Sequence, residues 1–136
     1  MTITTKEVKI LEFLDNYSKN VEFEHKQRLV AALTTRKGEV IGLGRNSMKS
    51  HPFQARFAKN NEAIYLHAET SALLDAINNG VNPSGATMHV IRKLRDGTLG
   101  LARPCQGCMR ALAAYGVDRV VYSNEVGSYS VEYRVK

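Results

Sequence analysis

His67-Ala68-Glu69 is followed in this chain by Pro104-Cys105-Gln106-Gly107-Cys108, and the two runs make chemical sense only if the fold brings them together. They then offer one imidazole and two thiolates, donors that suit zinc, and leave the fourth tetrahedral position open. Closed four-ligand sites are structural, whereas an open position belongs to a metal that acts on a water or a substrate. Glu69, two residues past the histidine, is the candidate proton carrier. The chain has two cysteines in all, and both fall in the second run.

Working outward, each run sits where a helix should begin. The pattern after His67 predicts a helix from Ala68 to Asn79, with Ala72, Leu73, Ala76 and Ile77 inward and Gly80 as its C-cap. Pro104 fits a helix start, and Cys105 to Tyr115 should be helical with Gly116 closing it. The free amides and partial positive charge at such N-termini favour thiolate over thiol at Cys105 and Cys108.

The remaining elements read as follows. Thr4 and Glu7 fit a capping box, and Val8, Leu11, Leu14 and Tyr17 recur at helical spacing until Ser18-Lys19-Asn20. Arg28 to Thr34 and Glu39 to Arg45 form a hairpin across Thr35-Arg36-Lys37-Gly38. Residues 46–66 make a long, polar, basic connection of the kind that serves a site. Thr87 to Leu94 is a strand, Asp96-Gly97 a tight turn, and Leu99 to Ala102 a short strand leading to the cysteines. Arg119 to Ser123 and Tyr129 to Val135 are the last two strands. Helices packed on a mixed sheet of five strands, an α/β/α sandwich, is the expected architecture.

Bulk properties agree. With 136 residues, 43% hydrophobic and 24% charged, the chain is expected to fold as a single domain spanning 1–136. No repeat or linker marks a second one. Charges interrupt the apolar residues of the N-terminus at Glu7, Lys9 and Glu12, so neither a secretory signal nor a membrane span is expected, and the location is read as cytoplasmic. Nineteen Lys and Arg against 13 Asp and Glu give a net charge of +6, which favours phosphate-bearing partners. Two alternatives to the open zinc site stand beside it. A structural zinc would need a fourth protein ligand, and His25, His51 and His89 are single and unclustered. A redox pair would leave His67 and Glu69 without a role.

Together the two motifs resemble the cytidine/deoxycytidylate deaminase superfamily over most of the chain, from about Arg28 to Ser123. The resemblance implies zinc on His67, Cys105 and Cys108, with Glu69 moving protons during hydrolysis of an amino group on a nucleobase ring. It also implies a backbone contact from Ala68 to the pyrimidine edge and a sugar contact from Asn46, which could otherwise be a turn residue. A histidine ligand where nucleoside deaminases carry cysteine, together with the position of Asn46, looks most like the deoxycytidylate type, particularly small phage and bacterial members. Leu101-Ala102-Arg103 before Pro104 and the lack of tryptophan depart from the polynucleotide editing type. The short link before the last strand departs from the deoxycytidylate type, which usually inserts a helix there.

For phosphate, Arg45, Lys49, His51, Arg56 and Lys59 crowd the long connection and Arg103 abuts the cysteines; Arg could grip bidentately. Phe53 and Tyr65 could stack on a base or pack in the core. The resemblance therefore implies conversion of a free cytosine nucleotide, dCMP foremost, to the uracil nucleotide by a homo-oligomer. Two further readings stay open: a deaminase of cytosine or adenine in single-stranded DNA or RNA, and a zinc module without activity.

Overall fold

The computed structural model describes residues 3–19, 27–47, 51–57 and 67–133. Among these the order is α1 (Thr5–Ser18), β1 (Gln27–Thr34), β2 (Val40–Arg45), α2 (Pro52–Phe57), α3 (Ala68–Asn78), β3 (Thr87–Leu94), β4 (Leu99–Gly100), α4 (Gln106–Ala114), β5 (Arg119–Ser123) and β6 (Tyr129–Tyr133). The sheet runs β2-β1-β3-β5-β6, with β4 also paired to β3. The expected mixed sheet forms, and the short strand before the cysteines joins it as a sixth. β3 and β5 are parallel because α4 carries the chain back between them, while the other pairs are antiparallel.

Side-chain alternation divides β1, β3 and β5 between two cores. Ala31, Leu33, Met88, Val90 and Val120 pack with Ala72, Leu73, Ala76 and Leu112 of α3 and α4. Val30, Ala32, Ile91 and Val121 point the other way, onto Leu11 and Leu14 of α1. Burying a leucine such as Leu14, Leu73 or Leu112 contributes about 1.5–3 kcal/mol. No helix of the described residues is long and apolar enough to cross a membrane.

The capping box at the start of α1 is present in both directions, with the Glu7 amide donating to Thr4 Oγ1 (3.2 Å) and the Thr4 amide to Glu7 Oε1 (2.9 Å). The buried face is rotated from the expected stripe. Glu7, Leu11, Leu14 and Ser18 face in, and Val8 is 40% exposed. The cause lies in β5: Arg119 donates from Nε to Glu7 Oε2 (2.6 Å) and from Nη2 to Oε1 (2.7 Å), drawing the carboxylate under the helix. Burial alone would raise the Glu7 pKa, but Arg119 and the Thr4 amide more than offset it and hold it below the usual value.

Two features of the sheet place the site. Gly42 and Gly44 lie under α3, and a Cβ on Gly42 would stand 2.1 Å from the Ala72 carbonyl oxygen. Without side chains there the helix rests directly on β2, and Asp75 Oδ2 accepts the Leu43 amide at 2.9 Å. At the other end, the Ser123 hydroxyl accepts from the Arg92 amide (3.0 Å) and donates to the Gly100 carbonyl (2.7 Å). That bridge closes the junction of β3, β4 and β5 just ahead of Pro104-Cys105.

Candidate metal centre

His67 and Cys105 are the N-caps of α3 and α4, so both candidate ligand groups fall at helix starts as the sequence predicts. The His67 side chain makes no capping bond, which leaves its ring for other partners. Its Nδ1 lies 3.1 Å from Cys108 Sγ and 3.5 Å from Cys105 Sγ. The Cys108 amide donates to Cys105 Sγ at 3.4 Å, as the free amides of a helix start allow. The donor atoms of the three residues lie within 4.8 Å of one another. One imidazole nitrogen and two sulfurs at this spacing suit an ion with bonds of about 2.0–2.1 Å to nitrogen and about 2.3 Å to sulfur. No fourth His, Cys, Asp or Glu joins the cluster among the described residues. Cys108 is buried and Cys105 exposed, so the cluster opens to solvent on the Cys105 side.

The electrostatics favour a metal. The hydrogen bond from Cys108, then that with His67, hold the Cys105 thiol down at about 4. Cys108 is pushed up because its proton is shared with that sulfur and burial opposes a second charge. The hydrogen bond with Cys105 raises His67. Three groups so close prefer to share protons among themselves, and a divalent cation replaces those protons. Glu69 is 4% exposed, and burial pushes its carboxyl up to about 7. A group that exchanges its proton near neutrality suits both acceptance and return of a proton.

Sequence reasoning missed Gln54. The connection expected to be a loop contains α2, and Gln54 on it is fully buried. Its Oε1 accepts from the His67 amide (3.2 Å) and from the Thr70 hydroxyl, and its Nε2 donates to Cys108 Sγ at 3.7 Å. One amide thus ties both ligand helices. The available signal was His51-Pro52, a cap followed by proline at the first helical position, with Phe53 and Phe57 one turn apart. His51 Nδ1 accepts the Phe53 amide at 3.1 Å, and Arg110 of α4 donates to the Phe57 carbonyl at 2.7 and 3.2 Å. Replacing Gln54 by leucine is expected to weaken zinc binding about 10- to 100-fold, the usual cost of losing a partner behind the ligands. Competition with a chromophoric chelator measures it.

The other expected site residues are placed as follows. Ala68 opens α3 and is fully buried. Asn46 extends the sheet past β2: its Oδ1 accepts the Leu29 amide (3.1 Å) and its own amide donates to the Leu29 carbonyl (3.0 Å), leaving Nδ2 as its remaining side-chain donor. Arg103, expected to grip phosphate, is held bidentately by Glu132, from Nε to Oε1 at 2.6 Å and from Nη2 to Oε2 at 3.2 Å. His51 is engaged in capping α2. Phe53 packs against Phe57 and Tyr115. Lys49, Lys59, Tyr65 and His25 lie outside the described residues.

Residues 5–124 match the family model of the cytidine and deoxycytidylate deaminase zinc-binding region. No protein of curated function matches the sequence. Among solved structures, the fold is similar to cytidine deaminase from Burkholderia pseudomallei, with a TM-score of 0.66 and 21% identity over 97% of this chain and 94% of that one. It is also similar to dCMP deaminase from the cyanophage S-TIM5 in apo form, with a TM-score of 0.54 and 23% identity over 94% and 89%. The same cyanophage protein in complex with dCMP and dUMP gives a TM-score of 0.56 and 21% identity over 92% and 85%.

Proposed function

Because the chain belongs to the cytidine and deoxycytidylate deaminase zinc-binding family, we propose that it hydrolyses the amino group of a free cytosine nucleotide, dCMP foremost, releasing ammonia and the uracil nucleotide. The observation that carries this reading is the buried carboxyl of Glu69 beside an open three-donor cluster. A structural zinc site has no use for such a carboxyl, and burying one costs free energy.

Zinc held by His67, Cys105 and Cys108 supplies the Lewis acidity that makes a water nucleophilic near neutral pH. The chain itself handles the protons. Glu69 takes one from the attacking water and passes it to the ring nitrogen as the C–O bond forms at the amino-bearing carbon. It then moves the remaining proton of the added hydroxyl to the amino group, and as that oxygen becomes the carbonyl the C–N bond breaks with ammonia as the leaving group. Gln54 holds the His67 backbone and Cys108 while this proceeds, and the amide at Ala68 is offered to the pyrimidine edge.

Three things support a deoxynucleotide: the histidine ligand, the position of Asn46 for a sugar contact, and a cyanophage deaminase of the same fold solved with dCMP and dUMP. Phosphate recognition is assigned to the basic run around His51, with Lys49 as a candidate. Arg103 can take part only if phosphate displaces Glu132.

The test is ammonia release by zinc-loaded protein offered dCMP, CMP, dCTP, deoxycytidine and a cytosine-containing single-stranded DNA. Turnover is expected on dCMP and not on the DNA. Activity on the oligonucleotide alone, falling steeply with salt as a multi-phosphate contact must, would replace this reading with the polynucleotide one.

A further inference from the structure

On the α1 face of the sheet, away from the zinc cluster, a cavity of about 470 Å³ lies between the start of α1, the β1–β2 turn and the first residues of β3 and β5. This volume falls within the range of small-molecule sites, about 300–1,000 Å³. His89 lines it and is 1% exposed, while its neighbours Met88 and Val90 face the opposite core. Among the described residues neither ring nitrogen of His89 has a hydrogen bond of good geometry, and the Ala32 backbone supplies only a weak one. Buried polar groups are nearly always satisfied, so a buried imidazole this poorly partnered among the described residues, beside a cavity, points to something that enters the cavity. Burial pushes His89 down to about 4, so its ring is neutral and offers one N–H and one lone pair.

The charges around the cavity indicate what enters. Glu7 and Arg119 both line it, but they neutralise each other in the bidentate pair described above. Lys6 and Arg36 also line it, both exposed, and neither is in an ion pair among the described residues. The 14-residue α1 directs its positive end here. Thr4 Oγ1 takes the Glu7 amide, which leaves the Thr5 and Lys6 amides outside the helix ladder, as at other anion-binding helix starts. We infer that this cavity is a second binding site, separate from the zinc centre, for a small molecule bearing a phosphate or carboxylate group, with His89 at its floor and Lys6 and Arg36 at its mouth.

The experiment uses the zinc-loaded chain with labelled imidazoles, titrated with inorganic phosphate and separately with acetate, while NMR follows the His89 ring. A saturable movement of the His89 signals is expected with at least one anion, and the anion that moves them identifies the group bound. Lys6→Ala and Arg36→Ala, both exposed and expected to leave melting unchanged, should each weaken binding about tenfold, the scale of one charge-assisted hydrogen bond. His89 signals that neither anion moves would overturn the proposal. So would binding indifferent to both substitutions, or His89 signals that change with protein concentration alone, which would mean a second copy covers the cavity.

Discussion

Glutamine in place of Glu69 is expected to lower kcat by about four orders of magnitude or more while leaving one zinc per chain. A single positioned proton carrier contributes about 10²–10⁴, and Glu69 serves more than one transfer in the proposed reaction. Glutamine keeps the shape and the hydrogen bonding but cannot accept and return a proton. The zinc survives because the clustered donors are His67, Cys105 and Cys108, without Glu69. Thermal stability should hold or rise, since the substitution replaces an ionisable group at a 4% exposed position with a neutral one. Single-turnover ammonia release and metal analysis on the same sample check both halves. Full activity in the variant would remove Glu69 from the chemistry and with it the main support for the deaminase reading of this site.

The second large effect lies well away from the chemistry. Gly44→Ala would set a Cβ 2.3 Å from the Ala72 amide nitrogen and 2.5 Å from the Ala68 carbonyl oxygen. Both are backbone atoms of α3, so no rotamer relieves the clash and the helix must lift from β2. Overpacking costs about 1–3 kcal/mol and occasionally more, and a backbone collision belongs at the upper end. Melting should fall by roughly 10 °C, given a few degrees per kcal/mol at this size. Zinc affinity should fall with it, because His67 caps the helix that moves. The control is Gly97→Ala: its Cβ meets nothing within 4 Å, although φ is +88°. That variant should lose about 1–2 kcal/mol for the strained backbone and keep its zinc. If Gly44→Ala melts like Gly97→Ala, the close seating of α3 on β2 is wrong.

Much of this was legible in the sequence because it is local. Thr4 and Glu7 are three residues apart, so their capping box shows in the spacing. Gly38, Gly80, Gly97 and Gly116 all take the positive φ their positions at turns and helix ends require. The clustering of His67, Cys105 and Cys108 was legible for the same reason, since each run carries its own helix start. What escaped depends on contacts between distant residues. Arg103 reads as an unpaired cation beside the cysteines until β6 brings Glu132 to it across 29 positions. Glu7 reads only as the capping partner of Thr4 until Arg119 appears beneath it, and the whole face of α1 turns accordingly. Gln54 is one amide in a polar stretch, and only the docking of α2 against α4 shows where it goes. Gly42 and Gly44 fall within an expected strand, and their use depends on a helix that begins more than twenty residues later.

The strand order also constrains how the molecule is made. β3 is the spine, bordered by β1 on one side and by β4 and β5 on the other. It begins at Thr87, whereas β1 ends at Thr34. During synthesis the first hairpin therefore leaves the ribosome with an open edge of Val, Ala and Leu and must wait for the spine to arrive. Unpaired strand edges of this kind recruit other chains. Slow translation between residues 34 and 87 lengthens that exposure, so the pace of synthesis over this interval bears on how much chain escapes aggregation.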